Sequence, residues 1–294
     1  MTAPVAAGDH GAMTHSDPRT GKNLVHRIER DEDPREVYAT TYQMRNFYLQ
    51  LRDALPGVLD VMNYMQHYQV VLMAHAGDRM LDLCCGRGLL LPLLRYHRKN
   101  IRSYTGVDIA PGNAKFLTNR VTDGRPLDEP PEEYYPFAVR YVHADVADLS
   151  PLGDERFEFI VYTSSIEHMH HDVGAASLVQ ARRHAAPHAR LVVTTPNTPA
   201  ERDGYETQYR AHVYEWKLSE LRDGLAEAGW KVTAEWGLEI KYTDLLAEAE
   251  RVGLRQVVEI MDASVPRSFL TPVWASMFPG ASREVALLCR AVER

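Results

Sequence analysis

A strand-like segment that ends in a turn of small residues constrains the fold more than any other feature of this chain. Residues 81–88 read LDLCCGRG, and an apolar helical pattern follows from Leu89. Such a turn lets backbone approach a ligand, and the helix behind it offers free N–H groups. Asp108 ends the next apolar run, where an acidic residue is the usual partner of a ribose diol. The two features predict a nucleoside-containing cofactor across the first two strands.

The spacing within the turn indicates which cofactor this is. The pattern is Asp82-x-Cys84-x-Gly86-x-Gly88, and leucines stand where a dinucleotide site would place its third glycine. This pattern resembles the first motif of class I S-adenosylmethionine-dependent methyltransferases, (D/E)-x-G-x-G-x-G. Cys84 replaces the first glycine, and because cysteine is small we expect the turn to survive. The resemblance implies that the turn lies beneath the methionine and ribose, and that Asp108 holds both ribose hydroxyls.

Further motifs that resemble those of the same family follow in the expected order. Asp145, in YVHADVADL, matches the acidic position near the adenine amino group, and Val146 would offer a backbone contact to the ring. Ile109, directly after Asp108, joins the expected cofactor contacts. The segments FEFIVYTSSIEHM and LVVTTPN resemble the fourth and fifth strands with their loops. The resemblance covers about residues 77–236 and a last strand at 285–291. Within the family, it is to the small-molecule branch of the ubiquinone-biosynthesis type.

The alternation of strand-like and helical patterns predicts an α/β fold, a doubly wound, Rossmann-like, seven-stranded sheet. We expect a helical N-terminal cap and a helical insertion before the last strand. The predicted strands are 79–84, 102–107, 139–143, 158–162, 190–195, 230–236 and 285–291, with a turn at 186–189 before the fifth. The predicted regions are a mobile tail (1–33), the cap (34–76, with a helix from Val58 to Met73) and the methyltransferase domain (77–294), whose insertion at 237–280 shapes the acceptor pocket. Tyr42 is the cap residue that we expect to contact the cofactor.

The amino-acid composition indicates which binding partners and which cellular compartment to expect. With 33 basic and 40 acidic residues the formal net charge is −7, which argues against a broad nucleic-acid surface. Three cysteines, two of them adjacent, do not form a disulfide framework and favour a reducing cytoplasm. No apolar run approaches 18 residues, and no signal peptide is recognisable. We therefore expect a cytoplasmic protein with a small-molecule acceptor, no membrane association, and a homodimer as the assembly to consider.

Two loops carry the candidate catalytic residues. Methyl transfer depends on alignment, and a hydroxyl or amine acceptor also benefits from a general base. Glu167 and His168 follow the fourth strand, and His168 is the preferred base because histidine titrates near neutrality. Each could instead only position the loop. His212 and Glu215 precede a helix after the fifth strand, and His212 could flank the acceptor opposite His168.

The same residues leave a second function open. Glu167, His168 and His212 match three of the four metal ligands of the metal-dependent 2′-O-methyltransferases that modify RNA 3′ ends. The fourth ligand of that branch, an acid three residues before Glu167, is Ser164 here. Losing a carboxylate removes charge that a hard cation requires, so we predict no metal. A third alternative is a cofactor-binding regulatory protein, because fold does not establish chemistry.

Overall fold

The computed structural model describes residues 58–97, 99–113, 135–198 and 211–293. Seven strands and seven α-helices are found in these ranges. The strands are β1 (Arg79–Leu83), β2 (Ser103–Asp108), β3 (Ala138–His143), β4 (Phe157–Thr163), β5 (Ala185–Pro196), β6 (Trp230–Glu239) and β7 (Glu284–Ala291). The helices are α1 (Val58–Met73), α2 (Leu90–Tyr96), α3 (His171–Arg183), α4 (Leu218–Glu227), α5 (Tyr242–Arg251), α6 (Arg255–Asp262) and α7 (Arg267–Ala275).

The strands form one sheet in the order β3–β2–β1–β4–β5–β7–β6. The first five are parallel to one another, whereas β7 runs antiparallel to both β5 and β6. Strand order reverses beside β1, so the carboxyl ends of β1 and β4 border the crevice in which open α/β sheets bind ligands. The predicted seven-stranded, Rossmann-like sheet is confirmed.

Each face of the sheet is covered by helices, which is why its central strands are apolar on both sides. Leu81 and Ile160 face a core that includes Leu178 of α3 and Leu221 of α4. Met80, on the opposite face, belongs to a core shared with α1 and α2. Helix α1 has the predicted bounds, Val58–Met73, and the part of the predicted cap at 34–57 lies outside the described residues.

The fifth strand differs from the prediction at its start. The turn expected at 186–189 is absent, because β5 already begins at Ala185. Ala185 pairs with Phe157 and Arg190 with Phe159, so extra residues of β5 bulge out between the two pairs. His188 lies in this bulge with φ of +60°. A bulge of this kind accommodates a local turn-like sequence without ending the strand.

The insertion before the last strand is helical, as predicted, but begins later than residue 237 because β6 continues to Glu239. Helices α5–α7 enclose a core of their own that includes Leu245, Trp274 and Phe278, whereas Phe269 is exposed. Helix α7 packs against α1 and β6. The end of α7 and the segment after it approach β6 closely at Gly237, where a β-carbon would overlap Ser282 Oγ and the Ala275 carbonyl oxygen.

The described helices are short relative to the thickness of a bilayer. Helix α1, with 16 residues, is the longest in the described ranges, and a spanning helix needs about 20 apolar residues. None of the described helices is both long and apolar enough to cross a membrane.

Candidate active site

The small-residue turn after β1 adopts a backbone conformation that favours glycine. Cys84, Gly86 and Gly88 have φ values of +54°, +52° and +73°. A non-glycine residue pays roughly 1–2 kcal/mol in this region, so Cys84 holds the turn at some cost. A β-carbon placed on Gly86 would meet no described atom within 4 Å. The backbone at Gly86 is therefore open on the side where a cofactor would lie, which fits the predicted site.

Asp108, at the end of β2, ties this turn to the neighbouring strand. Its Oδ2 accepts a hydrogen bond from Gly86 N at 2.9 Å, and its Oδ1 accepts from Ala110 N at 2.8 Å and Asn113 Nδ2 at 3.2 Å. A carboxylate has about four lone-pair positions, so Asp108 keeps acceptor capacity for a ligand hydroxyl. The carboxylate is held in a fixed orientation beside the open backbone of Gly86.

Asp82 lies beneath the turn and is buried. The hydroxyl of Tyr104 on β2 donates to Asp82 Oδ2 at 2.5 Å. Burial raises the pKa of Asp82 to about 7, although the Tyr104 hydrogen bond opposes this change. Asp82 thus supports the turn from below, and burial favours its protonated form over a wider pH range than is usual for aspartate.

The remaining candidate cofactor contacts lie at the ends of β2 and β3. Ile109 is exposed, Asp145 is exposed with its Oδ1 accepting from Ala147 N at 2.9 Å, and Val146 is buried. The Tyr141 hydroxyl fixes the loop after β2 by donating to the carbonyl of Ala110 at 2.7 Å. The structure therefore places these residues along one edge with Asp108. Tyr42 lies outside the described residues.

Glu167 and His168 lie close to His212, which belongs to a loop much later in the chain. The two loops meet where His168 Nδ1 contacts the carbonyl of Ala211, 43 residues further on. Glu167 and His168 lie in a short 3₁₀ turn, Ile166–His168, directly after β4. The Glu167 carbonyl accepts from Val213 N at 2.8 Å and from Tyr214 N at 3.1 Å, which fastens the later loop to this turn. The two imidazole ring centres are 5.0 Å apart.

Hydrogen bonds assign the tautomers of the two histidines. His168 Nδ1 lies 3.0 Å from the Ala211 carbonyl oxygen, and His212 Nδ1 lies 2.5 Å from Glu215 Oε1. Both partners are acceptors, so each Nδ1 carries the hydrogen and, in a neutral ring, the lone pair is on Nε2. Both rings can therefore act through Nε2 as a base or as a ligand.

Burial controls the protonation of this group. It lowers the pKa of His168 to about 4, with a smaller contribution from the nearby His212. It raises the pKa of Glu167, while His212 and the Thr195 hydroxyl, which donates to Glu167 Oε2 at 3.0 Å, act in the opposite direction. His168 is consequently neutral at physiological pH, and its pKa differs from the near-neutral value expected from the sequence because burial disfavours the protonated ring.

The donor atoms of Glu167, His168 and His212 all lie within 4.8 Å of one another. A carboxylate with two imidazoles is a donor set suited to a transition-metal ion such as Zn²⁺. Ser164 occupies the place of the acid expected in the metal-dependent branch. A carboxylate nevertheless reaches this place, because Glu284 Oε1 lies 3.4 Å from Ser164 Oγ.

Gln66 of α1 is a site residue that sequence analysis missed. Its Nε2 lies 3.1 Å from Ser164 Oγ, and its Oε1 accepts from Thr194 Oγ1 at 2.7 Å. Ser164 itself has φ of +43°, which is strained for a residue other than glycine. A signal was present in the sequence, because Gln66 stands at helical spacing between Met62 and Val70, both buried.

Comparison with known proteins shows the family to which the chain belongs. A family model described as a methyltransferase domain matches residues 42–235. The mRNA cap guanine-N(7) methyltransferase 1 of Oryza sativa subsp. japonica is 32% identical over 83 residues, which are 28% of this chain and 21% of that protein. The chain thus matches about a fifth of the length of this relative.

Solved structures show the same fold at low sequence identity. A putative methyltransferase from Bacillus halodurans superposes with a TM-score of 0.51 at 15% identity, covering 78% of this chain and 100% of that one. The [4+2]-cyclase SpnF superposes with a TM-score of 0.50 at 19% identity, covering 80% of this chain and 82% of the cyclase. One neighbour is thus described as a cyclase, so this likeness establishes the fold alone.

Proposed function

The chain belongs to the methyltransferase domain family and is an S-adenosylmethionine-dependent methyltransferase, and from this premise we propose that its acceptor is a small molecule. The observation that supports a small acceptor is the depth of the catalytic cluster. Glu167 is 2% exposed and the side chain of His212 is 9% exposed. A net charge of −7 also disfavours an extended nucleic-acid contact.

The cofactor would lie along the carboxyl ends of β1, β2 and β3. Asp108 would accept hydrogen bonds from the ribose hydroxyls, and the turn containing Asp82, Cys84, Gly86 and Gly88 would adjoin the methionine portion. The open space at Gly86 and the fixed carboxylate of Asp108 fit this assignment. The adenine would be contacted by Ile109, Asp145 and Val146.

The acceptor would bind on the other side of the switch point, beside Glu167, His168 and His212. S-adenosylmethionine supplies an electrophilic methyl group on a sulfonium. His168, neutral and fixed by Ala211, would take the proton that the acceptor loses, and Glu167 would stabilise the imidazolium that forms. His212, oriented by Glu215, would bound the pocket on the opposite side, and α1 with α5–α7 would form its outer wall.

The test is methyl-label transfer from labelled S-adenosylmethionine into a cell extract separated into small-molecule, RNA and protein fractions. The reaction is run with and without a chelator. Label in the small-molecule fraction that is indifferent to the chelator supports the proposal. Label confined to RNA or protein contradicts it.

A divalent-metal-dependent RNA 2′-O-methyltransferase is the second candidate, and the grouping of three donor residues within 4.8 Å favours it. Label in RNA that disappears with the chelator would establish this function. A metal analysis of dialysed protein gives an independent readout. Glu167→Gln and His212→Ala should then lower the retained metal, whereas Glu235→Gln, at a half-buried surface ion pair with Arg222, should not.

A further inference from the structure

A buried carboxyl group at the start of β7 has no part in the proton transfer described above. Glu284 pairs with Pro196 at the end of β5 and with Glu239 at the end of β6. This position is the carboxyl edge of the parallel strands, on the acceptor side of the site. The residue is only 7% exposed.

The hydrogen bonding of Glu284 is incomplete. Ser164 Oγ lies 3.4 Å from Glu284 Oε1, which is long for a hydrogen bond between oxygens, and its one hydroxyl hydrogen has a nearer acceptor in Gln66 Oε1 at 3.2 Å. Among the residues that the structure describes, the Glu284 side chain has no other hydrogen bond, and its Oε2 accepts none. The residue as a whole is buried, but Oε2 is not fully enclosed by protein, so this oxygen is left available to a ligand.

Three other carboxyl groups lie near Glu284. The groups whose charges act on it are Glu167, Glu239 and Glu215. Two of these have basic partners, since Glu239 lies 3.8 Å from Arg283 and Glu215 lies 2.5 Å from His212 Nδ1. Burial and the like charges together raise the pKa of Glu284 well above its usual range. No Lys, Arg or His of the described ranges forms an ion pair with it.

A carboxylate withdrawn from water is stable only when it is protonated or has a cation beside it. We propose that Glu284, together with Glu167, binds a cationic group of the methyl acceptor, such as a protonated amine. This inference rests on the small-molecule function proposed above. It assigns to the acceptor a basic nitrogen, which is either the recognition group or, after losing a proton, the methylated atom.

The grouping of donor atoms favours an organic cation over one metal ion held by all four residues. Glu284 does not belong to the set of donor atoms that lie within 4.8 Å of one another. One ion held by Glu167, His168 and His212 would therefore leave Glu284 outside its coordination. An ammonium group on a carbon chain can lie between Glu284 and Glu167 because its contacts are longer and less restricted in direction.

The experiment divides a small-molecule cell extract by cation exchange into a retained, cationic pool and a flow-through pool. Each pool is incubated with methyl-labelled S-adenosylmethionine and with wild-type protein, Glu284→Gln or Glu235→Gln. We expect wild-type protein and Glu235→Gln to label the retained pool equally, and Glu284→Gln to label it at least about tenfold less. Affinity for S-adenosylhomocysteine should be equal in all three proteins.

Several outcomes would overturn the inference. Label that enters only the flow-through pool leaves the proposed function standing and removes the cationic acceptor, and this wild-type result does not depend on any variant folding. Unchanged labelling by Glu284→Gln also contradicts it, as does a loss of S-adenosylhomocysteine affinity in that variant, which would assign Glu284 to the cofactor. Labelling abolished by a chelator, with metal lost from Glu284→Gln, would mean that the cation is an ion. No label in either pool removes the proposed function and this inference with it.

Discussion

The side-chain amide of Gln66 lies 3.1 Å from the hydroxyl of Ser164, although 98 residues separate them along the chain. The hydroxyl of Thr194 donates to the same amide at 2.7 Å. One side chain of α1 therefore joins the loop after β4 to the end of β5. The strained backbone of Ser164 is held in place by this helix as well as by its own strand.

Replacing Gln66 by alanine should destabilise the protein. The buried Thr194 hydroxyl would lose its acceptor, and such a loss typically costs about 1–3 kcal/mol. Urea denaturation of Gln66→Ala, Ser164→Ala and the double variant measures how the two side chains depend on each other. We expect a coupling of at least about 0.5 kcal/mol, and additive effects would contradict a direct interaction.

Cys84→Gly should be more stable than Cys84→Ala by about 1 kcal/mol. Both variants lack the thiol, but only glycine escapes the cost of a β-carbon at φ of +54°. Thermal unfolding of the two variants side by side measures the difference. Equal stability, or a more stable alanine variant, would show that the turn relaxes out of the left-handed region.

Asp108→Asn should weaken binding of S-adenosylhomocysteine about 10- to 100-fold in calorimetry. Asparagine keeps the shape but loses the charge, and a hydrogen bond to a charged group contributes about 1.5–3 kcal/mol, against about 0.5–1.5 kcal/mol for a neutral pair. Asp223→Asn, on the exposed surface of α4, is the matched control and should bind normally. Unchanged affinity in Asp108→Asn would refute the assignment of the ribose site.

His168→Gln should slow turnover about 10²- to 10⁴-fold while affinity for S-adenosylhomocysteine stays constant. Because burial lowers the pKa of His168 to about 4, the base remains unprotonated throughout the neutral range. In wild-type protein, the acid limb of kcat/KM that belongs to this residue should therefore lie near pH 4. A normal rate in His168→Gln would make the residue structural, and an acid limb near pH 6.5 would contradict its burial.

Asp82→Asn should change how stability depends on pH. The folded protein keeps the Asp82 proton up to about pH 7, whereas the unfolded chain releases it near its usual pKa of about 4. Between these values the folded state binds the extra proton, so this group contributes stability at low pH that is lost as pH rises. Relative to Asp82→Asn, wild-type protein should lose up to about 1.4 kcal/mol per pH unit from pH 4 to 7. Parallel stability curves from urea denaturation would refute the protonated state.

Sequence analysis was most successful where local pattern determines structure. The small-residue turn, the carboxylate at Asp108 and the bounds of α1 follow from residues adjacent in the chain. The meeting of His168 with His212 was also anticipated, since both follow strands whose carboxyl ends share one edge of the sheet. The bulge in β5 was missed because its residues read as a turn until β4 provides a pairing partner.

Gln66 and Glu284 could not be placed from their neighbours in sequence. Gln66 interrupts an apolar helical face, which indicates burial but not the partner. Glu284 is the first residue of β7, and its position depends on antiparallel pairing with Pro196, 88 residues earlier. Register of this kind is a property of the assembled sheet, because shifting β7 by one residue would turn Glu284 to the other face.

Helices α5–α7 connect β6 with β7, at the opposite margin of the sheet from β2 and β3. Residues 240–283 thus border the acceptor half of the molecule without passing through the half assigned to the cofactor. The two halves can therefore be altered independently. Exchanging this segment between relatives, while keeping the close contact of Gly237 with Ser282, should produce chimaeras that bind the same cofactor and methylate different acceptors.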